Sequence, residues 1–352
     1  MKKHVNIPIF IPHLGCPNAC VFCNQKKISG KIEFCIDAVE EEIRRALATV
    51  DSDCEAEIAF FGGSFTGIDR TDMLRLLEIA GRHVDAGEVS SIRLSTRPDY
   101  IDEEILDILA AHHVRDIELG QQSMNDVVLA ASKRGHTAED ARKACRMITS
   151  RGFHLVGQMM IGLPRSTLAD ELATAREIVA LGCTAARIYP TVVFCETELA
   201  RMMEEGSYVP LTLDEAVTRS AEVLEIFVAA QIPVIRLGLC AADNLFVPGT
   251  MVGGAYHSAF GELAASELYY HRIRDAIEAG GLRDAIAGRE LTIHVARGEV
   301  SKASGQKRAN KVRIQNEYNV KSVKIIENQS LFCYNIKLDV SHHGKGDEPL
   351  CI

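Results

Sequence analysis

Short apolar runs that alternate with longer helical patterns constrain the fold of this chain more than any other feature. Such alternation is typical of βαβ units arranged around a parallel sheet. Each run is apolar enough for us to expect burial on both faces of that sheet. Two helical patterns lie at 37–49 and 137–150, and we expect Asp37, Glu40 and Thr137 to cap them. The predicted strands are 7–11, 57–61, 91–95, 116–120, 154–160 and 185–189, with a weaker seventh at 234–237.

The loops that follow these strands are the expected place for the chemistry. A parallel sheet either opens into a doubly wound form or curls into a full or partial barrel, and both forms bind ligands at the carboxyl ends of the strands. Small and polar residues are concentrated in these loops. The loops are 12–16, 62–64, 96–98, 121–123, 161–164 and 190–191.

The pattern changes after about residue 240, where a glycine-rich passage at 248–254 precedes a helical window at 259–279. A length of 352 residues fits one large domain with an appendage. We therefore predict a core at 1–245, a small α+β extension at 246–340 and a flexible tail at 341–352.

Charge is distributed unevenly along the chain. The whole chain has 39 basic and 48 acidic residues, a formal charge of -9, which argues against bulk attraction to nucleic acid. The segment 291–326 nevertheless has eight basic residues and two acidic ones, a local charge of +6. This basic segment is the candidate surface for a polyanion.

The cysteine content points to reduced thiols or a metal site. Eleven cysteines are too sparse for a disulfide scaffold, and an odd number cannot all pair within one chain. No run reaches the roughly 18 apolar residues of a membrane helix, and the N-terminal apolar run is interrupted by Asn6 and Pro8. We therefore expect no membrane contact and a cytoplasmic location.

Cys16, Cys20 and Cys23 lie within eight residues of one another, in the loop after the first predicted strand. Three thiolates suit a soft metal and leave one coordination position open for a reactant. Two other interpretations stay open at this point: a zinc site completed by His13, or cysteines buried as small hydrophobic residues.

The spacing of these cysteines, with Phe22 directly before the third, resembles the cluster motif of the radical S-adenosylmethionine (SAM) superfamily. The resemblance implies that Cys16, Cys20 and Cys23 hold a 4Fe-4S cluster, with SAM at the fourth iron. It implies reductive cleavage of SAM to a 5'-deoxyadenosyl radical inside a partial (β/α)6 TIM-like barrel. We expect such a cluster to be oxygen-sensitive and to require a reductant such as flavodoxin or ferredoxin.

Further motifs narrow the resemblance to the radical SAM core of the Elongator catalytic subunit and its bacterial relatives. The match runs from about residue 5 to 240 and continues more loosely at 301–308, which resembles the C-terminal extension of that group. Only about 110 residues follow position 240, so we expect no acetyltransferase domain and no acetyl-CoA. The matching motifs are 60–65, 95–100, 118–123, 133–137, 158–164 and 187–191.

The resemblance also implies a set of cofactor contacts. Phe22 belongs to the cluster motif, and the exposed backbone of Gly62 and Gly63 would let the SAM amino group approach closely. Ser64 stands where the family often has Glu or Thr, so only its backbone role is carried over.

Three polar side chains complete the expected SAM site. Gln122 and Arg134 resemble the pair that orients the ribose and the carboxylate of SAM, and an arginine can grip a carboxylate with two hydrogen bonds. Gln158 stands where porphyrinogen-decarboxylating relatives have Asp, and its amide can still bond a ribose hydroxyl.

Substrate contacts are predicted from strand ends. Arg97 and Arg187 face the same cavity, where each would hold a phosphate or carboxylate, and Tyr189 lies at the barrel mouth. The alternative for both arginines is a structural ion pair at the rim, and for Tyr189 it is packing.

The leading functional hypothesis is modification of RNA, with a tRNA base as the target and tRNA as a partner. Lys307, Arg308 and Lys311 would share one helix face able to contact a phosphate backbone. Two alternatives stay open. One is chemistry on a small molecule such as a tetrapyrrole, as in the oxygen-independent coproporphyrinogen oxidase group, and the other is a non-catalytic cluster or metal carrier.

Overall fold

Seven parallel strands form one curled sheet, and their order across the sheet is their order along the chain. The computed structural model describes residues 3–11, 14–16, 20–24, 34–51, 53–239 and 247–340. The sheet is a half-barrel, which confirms the predicted partial TIM-like barrel. Its strands are β1 (Lys3–Ile11), β2 (Cys54–Gly62), β3 (Ile92–Thr96), β4 (Val114–Gln122), β5 (His154–Ile161), β6 (Ala185–Pro190) and β8 (Val234–Leu237), with a short β7 (Val192–Phe194) between the last two.

Helices connect the strands and cover one face of the sheet. Those of the core are α1 (Val39–Leu47), α2 (Arg70–Asp85), α3 (Glu103–Ala111), α4 (Asp126–Ala131), α5 (Ala138–Ser150), α6 (Leu168–Ala180), α7 (Glu198–Glu204) and α8 (Leu213–Ala229). Single turns of 3-10 helix lie at Ile36–Ala38, Phe65–Gly67 and Pro98–Tyr100.

The two faces of the sheet differ in chemistry. Alternate residues such as Ile58, Leu94 and Ile117 pack in one apolar core with Met73 and Leu106 of the covering helices. The residues between them point to the inner face, because successive side chains of a strand alternate. This inner face is also buried, so the expected burial on both faces is confirmed for β2 and β4, but the inner face carries charged residues.

The predicted helix caps are confirmed at α5 and wrong at α1. Thr137 caps α5 through a capping box with Asp140, as predicted. The prediction for Asp37 and Glu40 is wrong, since Ala38 occupies the N-cap of α1 and no side-chain hydrogen bond caps this helix. Glu40 is instead bonded to arginines, including Arg44 one turn along the helix at 3.0 Å.

The residues after 255 form an α+β unit with its own apolar core. Strand β10 pairs in parallel with β11 and antiparallel with β12. The unit contains α9 (Phe260–Ala279), α10 (Arg283–Ile286), β10 (Glu290–Val295), α11 (Val300–Ser304), a 3-10 turn (Gln306–Arg308), α12 (Ala309–Tyr318), β11 (Ser322–Glu327) and β12 (Ile336–Val340).

A strand pair and an ion pair are two of the contacts that join this extension to the barrel. Strand β9 (Met251–Gly254) pairs antiparallel with β7 of the core. Arg272 of α9 forms a two-pronged ion pair with Glu225 of α8, with nitrogen to oxygen distances of 2.8 and 2.7 Å. The division at residue 245 stays a prediction, and the predicted tail at 341–352 lies outside the described residues.

Across the described ranges, the structure contains no helix that is both long and apolar enough to span a bilayer.

Candidate cluster and SAM site

The three clustered cysteines follow the carboxyl end of β1, where the sequence placed them. Cys20 is buried, whereas Cys16 and Cys23 are half-buried. Backbone hydrogen bonds fix the loop around them: Cys23 N donates to Cys20 O at 3.0 Å, and Val21 N donates to Ser132 O at 3.2 Å. His13, the fourth ligand in the zinc interpretation, lies outside the described residues.

Two arginines determine the electrostatics of this loop. The Arg134 Nη1 donates to the Cys20 Sγ at 3.2 Å. Burial raises the pKa of the Cys16 thiol, the nearby Cys20 adds to the rise, and Arg97 and Arg134 oppose it. A cationic neighbour favours the thiolate form that a metal ligand requires. The donor set therefore fits a cluster of soft metal ions.

The loop after β2 packs directly on the cysteine loop. Gly63 N donates to Ile11 O at 2.7 Å, and Ser64 N donates to Leu14 O at 3.0 Å. A Cβ atom on Gly63 would lie 2.0 Å from the Leu14 carbonyl oxygen, and Gly62 has a left-handed φ of 110°. Both glycines are thus required by the close approach of two backbones. Their predicted contact with SAM stays a prediction.

Hydroxyl groups connect this loop to β3. Ser64 Oγ lies 3.2 Å from Thr96 Oγ1, and the Thr66 hydroxyl lies 2.6 Å from the same atom. The Thr66 hydroxyl also donates to the Tyr100 carbonyl at 2.8 Å. The sequence interpretation carried no side-chain role for Ser64, yet Arg97 N also donates to its hydroxyl at 3.2 Å.

The predicted SAM residues present unsatisfied polar atoms. Gln122 ends β4 with a left-handed φ of 65°, and its Oε1 is buried without a hydrogen-bond partner among the described residues. The Arg134 Nε is likewise buried without a hydrogen-bond partner among the described residues. Buried polar atoms are normally satisfied, so these two atoms are suited to a polar ligand. Gln158 is half-buried on β5, in register with Gly120 and Arg187.

The terminal nitrogens of Arg134 are already engaged. Nη1 donates to Cys20 and Nη2 donates to the Gly120 carbonyl at 2.7 Å. A carboxylate held by this side chain would therefore meet Nε and the remaining hydrogen atoms of the two terminal nitrogens, and the predicted two-pronged grip on the SAM carboxylate stays a prediction.

A buried charge network occupies the inner face of the barrel and was missed from the sequence. Arg93 is central to it: its nitrogens lie 2.8 Å from Glu57, 3.1 Å from Asp116 and 3.1 Å from Glu118. Glu57 is fully buried and Glu118 is 1% exposed. Burial raises the pKa of Glu118, although Arg187 and Arg93 oppose the rise. The alternation of charged residues along β2, β3 and β4 was the signal that could have revealed this network.

Arg187 and Tyr189 lie on the same inner face. The Arg187 Nη2 lies 2.7 Å from Glu118, and its Nη1 donates to the Tyr189 hydroxyl at 3.2 Å. The guanidinium carbon lies 5.1 Å from the centre of the Phe61 ring. The alternative of a structural ion pair therefore describes Arg187 in this structure, and contact with a substrate stays a prediction for both residues.

The predicted RNA-binding helix face is not formed. Lys307 and Arg308 lie in the 3-10 turn with left-handed φ values of 52° and 64°, whereas Lys311 lies in α12. The prediction of one shared helix face is therefore wrong. The described part of the basic segment places Lys302, Arg313 and Lys324 in ion pairs, and its other five basic residues form none.

Comparison with known proteins decides the family. A family model for the radical SAM superfamily matches residues 10–178, and one for the radical SAM C-terminal domain matches residues 183–270. The chain belongs to the radical SAM superfamily. Radical SAM proteins use a 4Fe-4S cluster and SAM, and this chain is a radical SAM enzyme that needs a reductant.

The similar proteins share the radical SAM segment to different extents. An uncharacterized protein of Methanocaldococcus jannaschii is 31% identical over 226 residues, which are 61% of this chain and 68% of that protein. The tRNA uridine(34) acetyltransferase of the same organism is 29% identical over 185 residues. That match covers 51% of this chain but only 33% of the acetyltransferase.

Among solved structures, Elp3 of Methanocaldococcus infernus with an N-terminal deletion has the same fold. Its TM-score is 0.57 at 20% identity, with 82% of this chain and 66% of that chain covered. The similarity includes residues beyond the barrel, since the covered share of this chain exceeds the length of the barrel alone.

Proposed function

We propose that this radical SAM enzyme modifies a tRNA base through a carbon-centred radical. The observation that carries the proposal is the 29% identity of its core to tRNA uridine(34) acetyltransferases of two Methanocaldococcus species. The chain spans about a third of those relatives, so the shared segment supports a shared kind of substrate and says nothing about acetyl transfer. The absence of acetyl-CoA chemistry and the cytoplasmic location stay predictions.

The cofactors are proposed to bind at the loops described above. Cys16, Cys20 and Cys23 would hold the cluster, since they provide three thiols around an arginine donor. When bound, the cluster supplies the electron that cleaves SAM to a 5'-deoxyadenosyl radical. The unsatisfied polar atoms of Gln122 and Arg134 support their role as SAM contacts.

The inner face of the barrel supports a substrate site near the carboxyl ends of the strands, because buried side chains fill the interior further from those ends. Arg93 and its carboxylates fill the interior at the level of residues 57, 93 and 118, which excludes water from that part of the barrel. Arg187 and Tyr189 lie nearer the carboxyl ends of the strands, on the side of the cysteine loop. We propose that they face the base to be modified.

Binding of tRNA is expected to depend on the unpaired cations of the extension. Lys307 and Arg308 are exposed, and neither they nor Lys311 form an ion pair among the described residues. Each phosphate contact releases bound counterions, so tRNA affinity should fall steeply with salt. Changing Lys307, Arg308 and Lys311 to alanine should lower the slope of log affinity against log salt by about 2–3, which is the loss of three phosphate contacts. A filter-binding titration measures both quantities.

The matched control is the triple alanine variant of Arg44, Arg45 and Arg82, which are exposed on α1 and α2 and paired with acidic neighbours. This control should bind tRNA as the wild type does. The RNA proposal would be contradicted if the wild type did not bind tRNA at low salt, or if the triple alanine variant of Lys307, Arg308 and Lys311 bound tRNA as the wild type does. The assignment as a radical SAM enzyme does not depend on this result. Tetrapyrrole binding without a tRNA effect would instead favour the small-molecule alternative.

A further inference from the structure

The motif at 95–100 contains buried residues beside the site, and the proposed function assigns no role to it. Arg97, at its centre, is 4% exposed. Its Nε and Nη2 each lie 2.9 Å from a different carboxylate oxygen of Asp99, so the guanidinium is held in a planar two-pronged pair. Asp99 therefore supplies an acidic partner to two of the guanidinium nitrogens, whereas Nη1 is buried without a hydrogen-bond partner among the described residues.

Arg97 also holds the loop that contains Arg134. Its Nη2 donates to the backbone carbonyl of Arg134. The Arg134 guanidinium in turn donates to the Cys20 Sγ and to the Gly120 carbonyl. A continuous chain of contacts thus runs from Asp99 through Arg97 and Arg134 to a proposed cluster ligand.

The same motif braces the loop after β2. The backbone N–H of Arg97 donates to the Ser64 hydroxyl, and the Thr96 hydroxyl contacts both Ser64 and Thr66. Thus the motif at 95–100 joins two loops, one carrying the paired glycines and the other carrying Arg134. Both loops surround the cysteines, so a displacement of Arg97 would be transmitted to both.

We propose that Arg97, fixed by Asp99, is a positioning residue that keeps Arg134 within hydrogen-bonding distance of the Cys20 thiolate. This inference rests on the proposed cluster ligands and replaces the prediction that Arg97 binds substrate. Hydrogen bonds to the sulfur ligands raise the reduction potential of an iron-sulfur cluster, because they stabilise the more negative reduced form. Arg97 therefore acts on the cluster through Arg134 rather than by touching a reactant.

Arg97→Lys is the primary test, since it keeps the charge but loses the fork that bonds Asp99 and the Arg134 carbonyl together. Asp99→Asn is the second variant, because Asp99 is partly exposed and the change is nearly isosteric. We expect both to load iron as the wild type does. The cluster potential, from a redox titration followed by electron paramagnetic resonance, should shift to more negative values. The Kd for SAM should rise roughly tenfold, as expected for the loss of one charged hydrogen bond.

Arg151→Lys is the matched control, because Arg151 also bonds two carboxylates, Glu103 and Asp107, but on the outer surface. Its cluster potential should equal that of the wild type. An unchanged potential in a loaded Arg97→Lys protein would overturn the inference, as would a rise in substrate KM alone. If Arg97→Lys does not fold, an unshifted potential in Asp99→Asn overturns it equally. A wild-type chain that never binds a cluster would instead refute the proposed ligands.

Discussion

Replacing Cys20 with alanine is expected to abolish SAM cleavage, with release of 5'-deoxyadenosine falling at least a hundredfold. The physical reason is that the proposed site has three thiolate ligands, and two cannot hold three irons of a cluster in place. Cys20 is also the thiol that Arg134 contacts at 3.2 Å. The measurement is anaerobic reconstitution with iron and sulfide, followed by iron analysis and a dithionite-driven SAM cleavage assay. Cys16→Ala and Cys23→Ala should behave in the same way.

Cys35→Ala is the matched control, since Cys35 is exposed and lies outside the proposed site. This variant should bind iron and cleave SAM as the wild type does. Full cluster loading in Cys20→Ala would contradict the ligand assignment. A wild-type protein that loads a cluster but never releases 5'-deoxyadenosine, with any substrate tried, would favour the non-catalytic carrier.

Replacing Arg93 with methionine is expected to destabilise the fold by about 3–5 kcal/mol, the usual effect of breaking a buried ion pair by removing one partner. Arg93 contacts Glu57, Asp116 and Glu118 within 3.1 Å, so the variant would leave three buried carboxylates without their shared cation. Burial already raises the pKa of Glu118 in the wild type. Chemical denaturation at neutral pH measures the loss.

The pH dependence of this variant has a definite sign. Without Arg93, burial should raise the pKa of Glu118 further in the folded state, because one of the two arginines that oppose the rise is removed. A group with a raised folded pKa stabilises the fold at low pH and loses that contribution as pH rises. The difference in stability between wild type and Arg93→Met should therefore shrink as the pH is lowered from 7 to 5.

Arg115→Met is the control for this experiment. Arg115 contacts Asp116 at 2.9 Å and Glu57 at 3.4 Å, but its side chain is 38% exposed at the end of the barrel. Its removal should cost roughly 1 kcal/mol or less, as for an exposed ion pair. Equal losses of unfolding free energy in Arg93→Met and Arg115→Met would contradict this prediction, because they would show that burial does not determine how much each arginine contributes to stability.

The strand pattern was predicted well because each strand forms a short apolar run between turn residues. All seven predicted strands exist, and most extend one to three residues further than the apolar run, as β4 does at both ends. The β7–β9 pair was missed since two strands of three and four residues carry little periodicity. Their pairing depends on a contact between residues almost sixty positions apart, which local patterns do not report.

The site was predicted in part. The sequence pointed to the cysteines, the paired glycines and Arg134 because their residue types and spacing match a known motif, and the structure brings these residues together, while their contacts with the cofactors stay predictions. The ion pair of Arg97 with Asp99 was foreseen only as the alternative to a substrate contact, and the contacts of Glu118 were not foreseen. A charged residue near a strand end has the same appearance in the sequence whether it meets a substrate or another side chain. The register of β3 and β4 places Arg93 opposite Asp116, and Glu118 lies two residues further along the same face, within reach of the Arg93 guanidinium at 3.1 Å.

The basic segment shows how local backbone geometry overrides residue spacing. Lys307, Arg308 and Lys311 have the spacing of a helix face, but two consecutive left-handed residues place the first two before the helix begins. The charge composition therefore predicted a basic surface. The spacing of Lys307, Arg308 and Lys311 wrongly predicted that all three lie on one helix face.

The most direct test of the central proposal is a mass-spectrometric comparison of tRNA nucleosides from a strain that lacks this protein and from its parent. We predict that at least one modified nucleoside disappears in the deletion strain. Expression of the wild-type chain should restore it, whereas expression of Cys20→Ala should not. Identical nucleoside profiles in the parent and the deletion strain would contradict a role in tRNA modification.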